Sequence, residues 1–82
     1  MTSIIGLLIA SHPESPVEDL NRLSKDRDDA IRMAVAENPN TPTSTLVLLT
    51  RDDSPRVSQA AHKALANHPQ STITWVMGQN MV

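Results

Sequence analysis

The sequence predicts an all-α fold, a short α-solenoid of helical repeats. Three observations carry that reading. The chain matches itself at one constant step, the step that carries His12 onto Asn38. Proline pairs punctuate it at the same places in each unit. Between them, apolar residues recur at the spacing of one helix face rather than in alternation.

The self-match is concrete. His12-Pro13-Glu14-Ser15-Pro16 returns one step later as Asn38-Pro39-Asn40-Thr41-Pro42. Leu20, Leu23 and Asp26 correspond to Leu46, Leu49 and Asp52 at the same step. Ile5, Leu8 and Ile9 correspond to Ile31, Ala34 and Val35, and these to Val57, Ala60 and Ala61. The third junction, His68-Pro69, arrives late by one short insertion, which lies between His62 and Leu65 and is four residues long. Four residues is about one helical turn, so an apolar face keeps its phase across the insertion.

Taken in order, the elements are helices near 3–11, 16–25, 29–37, 42–50, 55–67 and 72–79. The first carries the stripe Ile5, Leu8, Ile9. The second starts at Ser15-Pro16, with Ser15 as N-cap, Pro16 at the first helical position and Glu18 completing a capping box; Leu20 and Leu23 face inward. The third starts near Asp28 and carries Ile31, Ala34 and Val35. The fourth repeats the second from Thr41-Pro42, with Leu46 and Leu49 inward. The fifth starts at Ser54-Pro55, and Val57, Ala60, Ala61, Ala64 and Leu65 mark a single face. Helices end at Asn/His-Pro because the residue before proline disfavours the α region. The domain is single, over 1–82, with a partial repeat at 1–13, repeats at 14–39 and 40–69, and a C-terminal helix at 70–82. With one Trp and no Phe or Tyr, the core is aliphatic.

The stretch Ile31-Arg32-Met33-Ala34-Val35-Ala36-Glu37-Asn38-Pro39-Asn40-Thr41-Pro42, with Leu46, Leu49 and Asp52, resembles the leucine-rich-repeat variant motif, V-R-x-A-V-A-x-N-P-x-T-P-x-x-x-L-x-x-L-x-x-D. The resemblance covers about residues 4–76 and is loosest in the third unit, where Ser58-Gln59-Ala60-Ala61 replaces the usual core. It implies a right-handed solenoid of alternating α and 3₁₀ helices, similar to HEAT repeats, with the short helices near 16–25 and 42–50 partly 3₁₀. It implies a scaffold, not a reaction. The family's founding member also carries a Cys-rich iron–sulfur segment; this chain has no Cys, so that cofactor does not carry over.

Composition narrows the function classes. An 82-residue chain with no Cys has no disulfides, thiol nucleophile or Cys-ligated metal, which fits a cytoplasmic location. Seven Lys and Arg against nine Asp and Glu give a net charge of −2, without the positive field typical of nucleic-acid binding. The longest apolar run, Ile4 to Ala10, is too short to span a bilayer, and no basic residue precedes it as in a signal peptide. With only Gly6 and Gly78, no phosphate loop or nucleophile elbow is present. The expectation is a protein that is not an enzyme and takes no cofactor or metal. His12 and His68 share the position of Asn38 before proline, a helix-end role, and His62 lacks metal-ligand spacing. Asp26, Asp28, Asp29, Asp52 and Asp53 precede helix starts, where carboxylates cap free N–H groups.

Subtracting one repeat from the next gives the binding candidates. Asn21-Arg22 becomes Val47-Leu48; Asp19 becomes Thr45 and then Trp75; Asn21 becomes Val47 and then Met77. The row Val47, Leu48, Trp75 and Met77 reads as a protein-docking patch, since aromatic residues and Met are enriched at interfaces. The alternative is that the terminal helix folds back and buries Trp75 as a cap. Residues 1–13 and 64–82 carry no Asp, Glu, Lys or Arg, so both ends are apolar, and a homodimer would hide them. The leading expectation is therefore a non-catalytic interaction module (adaptor, regulator or inhibitor) with a protein partner. A HEAT-like nucleic-acid surface of Arg22, Arg32, Arg51 and Arg56 is the alternative; it is undercut because Arg22 and Arg32 become Leu48 and Ser58 one repeat on. The initial Met and the departures from the repeat at both ends point to a free-standing chain.

Overall fold

The computed structural model describes residues 3–67. Among these residues five helices form, in chain order α1 (Ile4–Ser11), α2 (Val17–Leu23), α3 (Asp29–Glu37), α4 (Thr43–Leu49) and α5 (Pro55–Asn67). No strand occurs among the described residues, whose architecture is all-α. The predicted helix near 72–79, together with His68, Trp75 and Met77, lies outside the described residues.

α3 is central and packs against α1 on one side and α5 on the other. α2 packs on α1 and α3, and α4 on α3 and α5. From α2 to α5 the core is the stripe that the sequence predicts, whereas in α1 the predicted Ile5 and Leu8 are exposed, because no described helix packs on that face. Leu20 and Leu23 from α2, Ile31 and Val35 from α3, Leu46 and Leu49 from α4, and Val57 and Ala61 from α5 are all buried. Ala10 and Ala36 join them, one repeat apart. Ala34, Ala60, Ala64 and Leu65 are partly buried against this cluster. α5 has 13 residues where α3 has nine, so the four-residue insertion adds one turn to the helix and leaves its start in register.

α1 and α3 end as expected before proline: His12 and Asn38 leave the helix in extended conformation, φ −78° and −77°. Their side chains make the same turn. His12 Nδ1 accepts from the Glu14 N–H at 3.0 Å, and Asn38 Oδ1 from the Asn40 N–H at 2.8 Å.

Two local expectations are corrected. The short helices α2 and α4 are α-helical along their length, so the partly 3₁₀ expectation holds only for their ends. Tighter i to i−3 bonds appear only at their ends, from the Asp19 and Thr45 N–H groups at the start and from Lys25, Asp26, Arg51 and Asp52 just past the close. Ser15 and Thr41 are not N-caps, and Glu18 completes no capping box. Pro16 and Pro42 occupy the cap position with no side-chain cap bond. Each proline carbonyl accepts from two N–H groups of the helix it opens, those of Asp19 and Leu20 or of Thr45 and Leu46. The hydroxyls turn backwards instead. Ser15 Oγ donates to the Ile9 carbonyl at 2.5 Å and Thr41 Oγ1 to the Val35 carbonyl at 2.6 Å. Both residues are buried, and each adds a second bond to a last-turn carbonyl that also accepts from the N–H of His12 or Asn38.

Candidate functional site

Two surfaces of this fold are candidates, and each starts from a departure from the repeat. On α2 the outward positions are Asn21 and Arg22, both exposed; on α4 they are Val47 and Leu48. Val47 is 48% exposed and Leu48 68%, side by side on one helix. Leu46 and Leu49, which flank them, point into the core, so helical periodicity fixes the pair outward. Thr45, which shares a repeat position with Trp75, is buried, and its hydroxyl donates to Asn21 Oδ1 on α2. The row therefore divides on α4: position 45 faces inward, and 47 and 48 face out. Trp75 and Met77, the remaining members, lie outside the described residues.

The arginines separate by use. Arg32 is bound within the molecule. Its Nε donates to Asp52 Oδ2 at 2.8 Å and an Nη to Oδ1 at 3.0 Å, a bidentate pair. The other Nη donates to the carbonyls of Asp26 and Arg27 at 2.7 and 3.0 Å. The two side chains are only 17% and 10% exposed. The Asp52 hydrogen bond holds the Arg32 pKa above its ordinary value against the opposing effect of burial. Burial pushes the Asp52 carboxyl upward, but the Arg32 hydrogen bond, the Ser54 N–H and the Arg32 charge together outweigh it and hold it below the usual carboxylate range. Arg32 thus fastens α3 to the segment that leads into α5 and presents little charge outward. Arg22 is exposed and lies 3.5 Å from Asp19 on its own helix. Arg51 is exposed. Arg56 is exposed, with its guanidinium 3.7 Å from the Met33 sulfur.

The acidic residues act at helix starts. Asp28 caps α3, accepting from the Ala30 N–H at 2.9 Å, and Asp26 accepts from the Asp28 N–H at 2.9 Å. Asp52 repeats the Asp26 bond by accepting from the Ser54 N–H, also at 2.9 Å. Among the described residues no group of three or more His, Asp or Glu side chains is placed to hold a metal. No described helix is long and apolar enough to cross a membrane.

Sequence reasoning misses one polar network. The Asn38 side-chain amide donates to the Ala10 and His12 carbonyls, both at 2.7 Å, and so ties α3 to the end of α1. Asn40 Nδ2 donates to the Ser15 carbonyl at 2.8 Å, and Ser54 Oγ to Asp29 Oδ2 at 3.0 Å. The available signal is the recurrence of an amide or imidazole before proline, which by itself reads only as a local helix-end device. An open pocket of about 410 Å³ lies between the end of α3 and α5, lined by Ala36, Asn38, Leu46, Ala60, Lys63 and Ala64, among others. The residue that repeats Asn38 after the insertion, His68, lies outside the described residues. Neither a known protein family, nor a curated protein, nor a solved structure matches this chain.

Proposed function

We propose that this chain is a non-catalytic, cofactor-free protein-interaction module, an adaptor, regulator or inhibitor of the cytoplasm. In this reading its helices form a short right-handed solenoid of the leucine-rich-repeat variant, HEAT-like kind, and the chain associates with itself as well as with a protein partner. The observation that carries the reading is the exposed pair Val47 and Leu48, at positions where the preceding unit carries Asn21 and Arg22. A core residue must be apolar in every unit, whereas an outward residue is free to be polar. An apolar pair that stands outward where the preceding unit is polar is not required by the fold and fits a surface that something covers. Because the pair stands on a preformed helix, a partner meets it with little ordering cost.

The test is affinity capture with wild type and the Val47→Asp, Leu48→Asp double variant, each first matched for helicity by circular dichroism. Loss of the captured partner from the folded variant is expected. A partner held equally by both overturns the reading. So does a nucleic-acid gel shift that weakens steeply with salt and is lost in Arg51→Glu, Arg56→Glu, since that would move function to the basic side chains. Arg32, bound to Asp52, is not available to such a surface in this arrangement.

A further inference from the structure

We propose that the outer face of α1, formed by Ile4, Ile5 and Leu8, is the seat for a second copy of this chain, paired about a two-fold axis. The proposal rests on the helical-repeat reading above and names the place where self-association occurs.

The repeat register supplies the argument. Ile5 and Leu8 stand one repeat step before Ile31 and Ala34, and two steps before Val57 and Ala60. In α3 this face is turned to α1: Ile31 is 1% exposed, and its Cδ1 lies against Gly6, 3.1 Å from where a Cβ would stand. In α5 the same position, Val57, is fully buried. α1 has no preceding helix among the described residues. Its equivalents are accordingly open, with Ile4 at 75%, Ile5 at 72% and Leu8 at 66% exposure. The position that Ile31 and Val57 bury is therefore presented bare by α1 as Ile5, beside Leu8 at the position of the partly buried Ala34 and Ala60.

The occupant follows from what the chain itself can offer. The helix face that α3 meets on α1 includes Leu7 and Ala10, whose equivalents are Met33 and Ala36 on α3 and Gln59 and His62 on α5. Gln59 and His62 are exposed and polar, as is the neighbouring Lys63. Stacked head to tail on α5, the last described helix, Ile5 and Leu8 would meet an amide, an imidazole and an ammonium group. Pairing α1 with α1 of a second copy sets Ile4, Ile5 and Leu8 against themselves. α1 has no charged residue in its first or last turn, and the first acidic or basic side chain after it, His12 aside, is Glu14, so nothing on the helix repels its twin. An isologous contact also closes on itself instead of propagating into a filament.

Light scattering after size exclusion, on the full chain over a dilution series, is the first test. Twice the 8.9 kDa chain mass is expected for wild type, and the single mass for Ile5→Asp, Leu8→Asp with helicity retained. The Val47→Asp, Leu48→Asp variant keeps the double mass, which separates this proposal from the docking surface on α4. A single mass for wild type at every concentration overturns it, as does a double mass that survives Ile5→Asp, Leu8→Asp. If the aspartate variant unfolds, cysteine cross-linking decides, because the chain has no native Cys. Leu8→Cys or Ile5→Cys alone gives a covalent dimer on oxidation if α1 meets α1. Cross-linking of Leu8→Cys to Gln59→Cys in a mixture, with neither forming its own dimer, means head-to-tail contact and overturns the proposal. A thiol at position 8 that neither cross-links nor reacts with an external reagent means intramolecular cover by residues 68–82 and overturns it equally.

Discussion

At the junction of α1 with α3, one side-chain amide reads two backbone carbonyls: Asn38 reaches Ala10 and His12. At the junction of α3 with α5 the residue that repeats Asn38, His68, lies outside the described residues, and the described tie is ionic: Arg32 grips Asp52 through two bonds. Arg32 has no counterpart at the first junction, where its equivalent is Gly6 and the close approach belongs to the Ile31 side chain. Asp52 does have one, Asp26, which performs only the local half of the role by accepting from an N–H two residues on. Among the described residues the apolar stripe is thus fastened by neutral hydrogen bonds at one seam and chiefly by a charge pair at the other. The apolar stripe sets the stacking, and the polar ties are interchangeable in chemistry but not in their response to pH.

The largest expected effects test the shared part. Leu20 and Leu46 occupy one repeat position in the two units and are both fully buried. Leu20→Ala and Leu46→Ala should each cost about 3–4 kcal/mol, and by equal amounts, in chemical denaturation. A difference larger than about 1.5 kcal/mol, well inside the spread that differing cavities produce, would show that the two cores are not equivalent.

Breaking the ionic seam comes next. Asp52→Ala removes the bidentate pair and the bond to the Ser54 N–H, leaving Arg32 with its two carbonyls. The loss expected is about 2–3 kcal/mol at neutral pH. Because the folded Asp52 pKa lies below its unfolded value, the stabilisation is fully present above about pH 4 and is lost as pH falls through the folded value. A denaturation series from pH 6 to pH 2 should therefore fall more gently for Asp52→Ala than for wild type. Parallel curves would remove the pair as the source of acid sensitivity.

Asn38→Ala strips the amide seam and should cost about 2 kcal/mol, with no added pH dependence above pH 4. The same curve recorded at pH 4 and pH 7 checks this: a loss that changes between them would contradict a neutral tie. The smallest effect belongs to the outward pair. Val47→Asp, Leu48→Asp should move stability by less than about 0.5 kcal/mol, since neither side chain is part of the core. A larger loss would mean that the pair supports the fold rather than a contact.

The helices were legible because their signals are local and redundant. Proline marks the ends of α1 and α3, and a helical stripe marks which residues face in. The insertion was readable because a whole turn disturbs neither. The roles of Ser15 and Thr41 were not. A hydroxyl placed between two helices can cap the one ahead or close the one behind, and only the packed arrangement decides. Arg32 was misplaced for a related reason. The sequence shows a cation at a position without repeats, and a partner 20 residues away on another element leaves no periodic trace. Val47 and Leu48 were legible as outward residues because repeat subtraction exposes a change that the core cannot require. Their row-mate Thr45 was not legible as inward, since a threonine suits either side.

The polar ties between units share a further property. Asn38 to Ala10 and His12, Asn40 to Ser15, Thr45 to Asn21, Ser54 to Asp29 and Arg32 to Asp52 span between 20 and 28 residues. Loop-closure entropy changes by only about 0.3 kcal/mol over that range. No seam has an entropic advantage as the place where folding begins, and none requires the ends of the chain to meet. A chain tied together over such short separations folds quickly, on the order of milliseconds or less, and either seam can nucleate it.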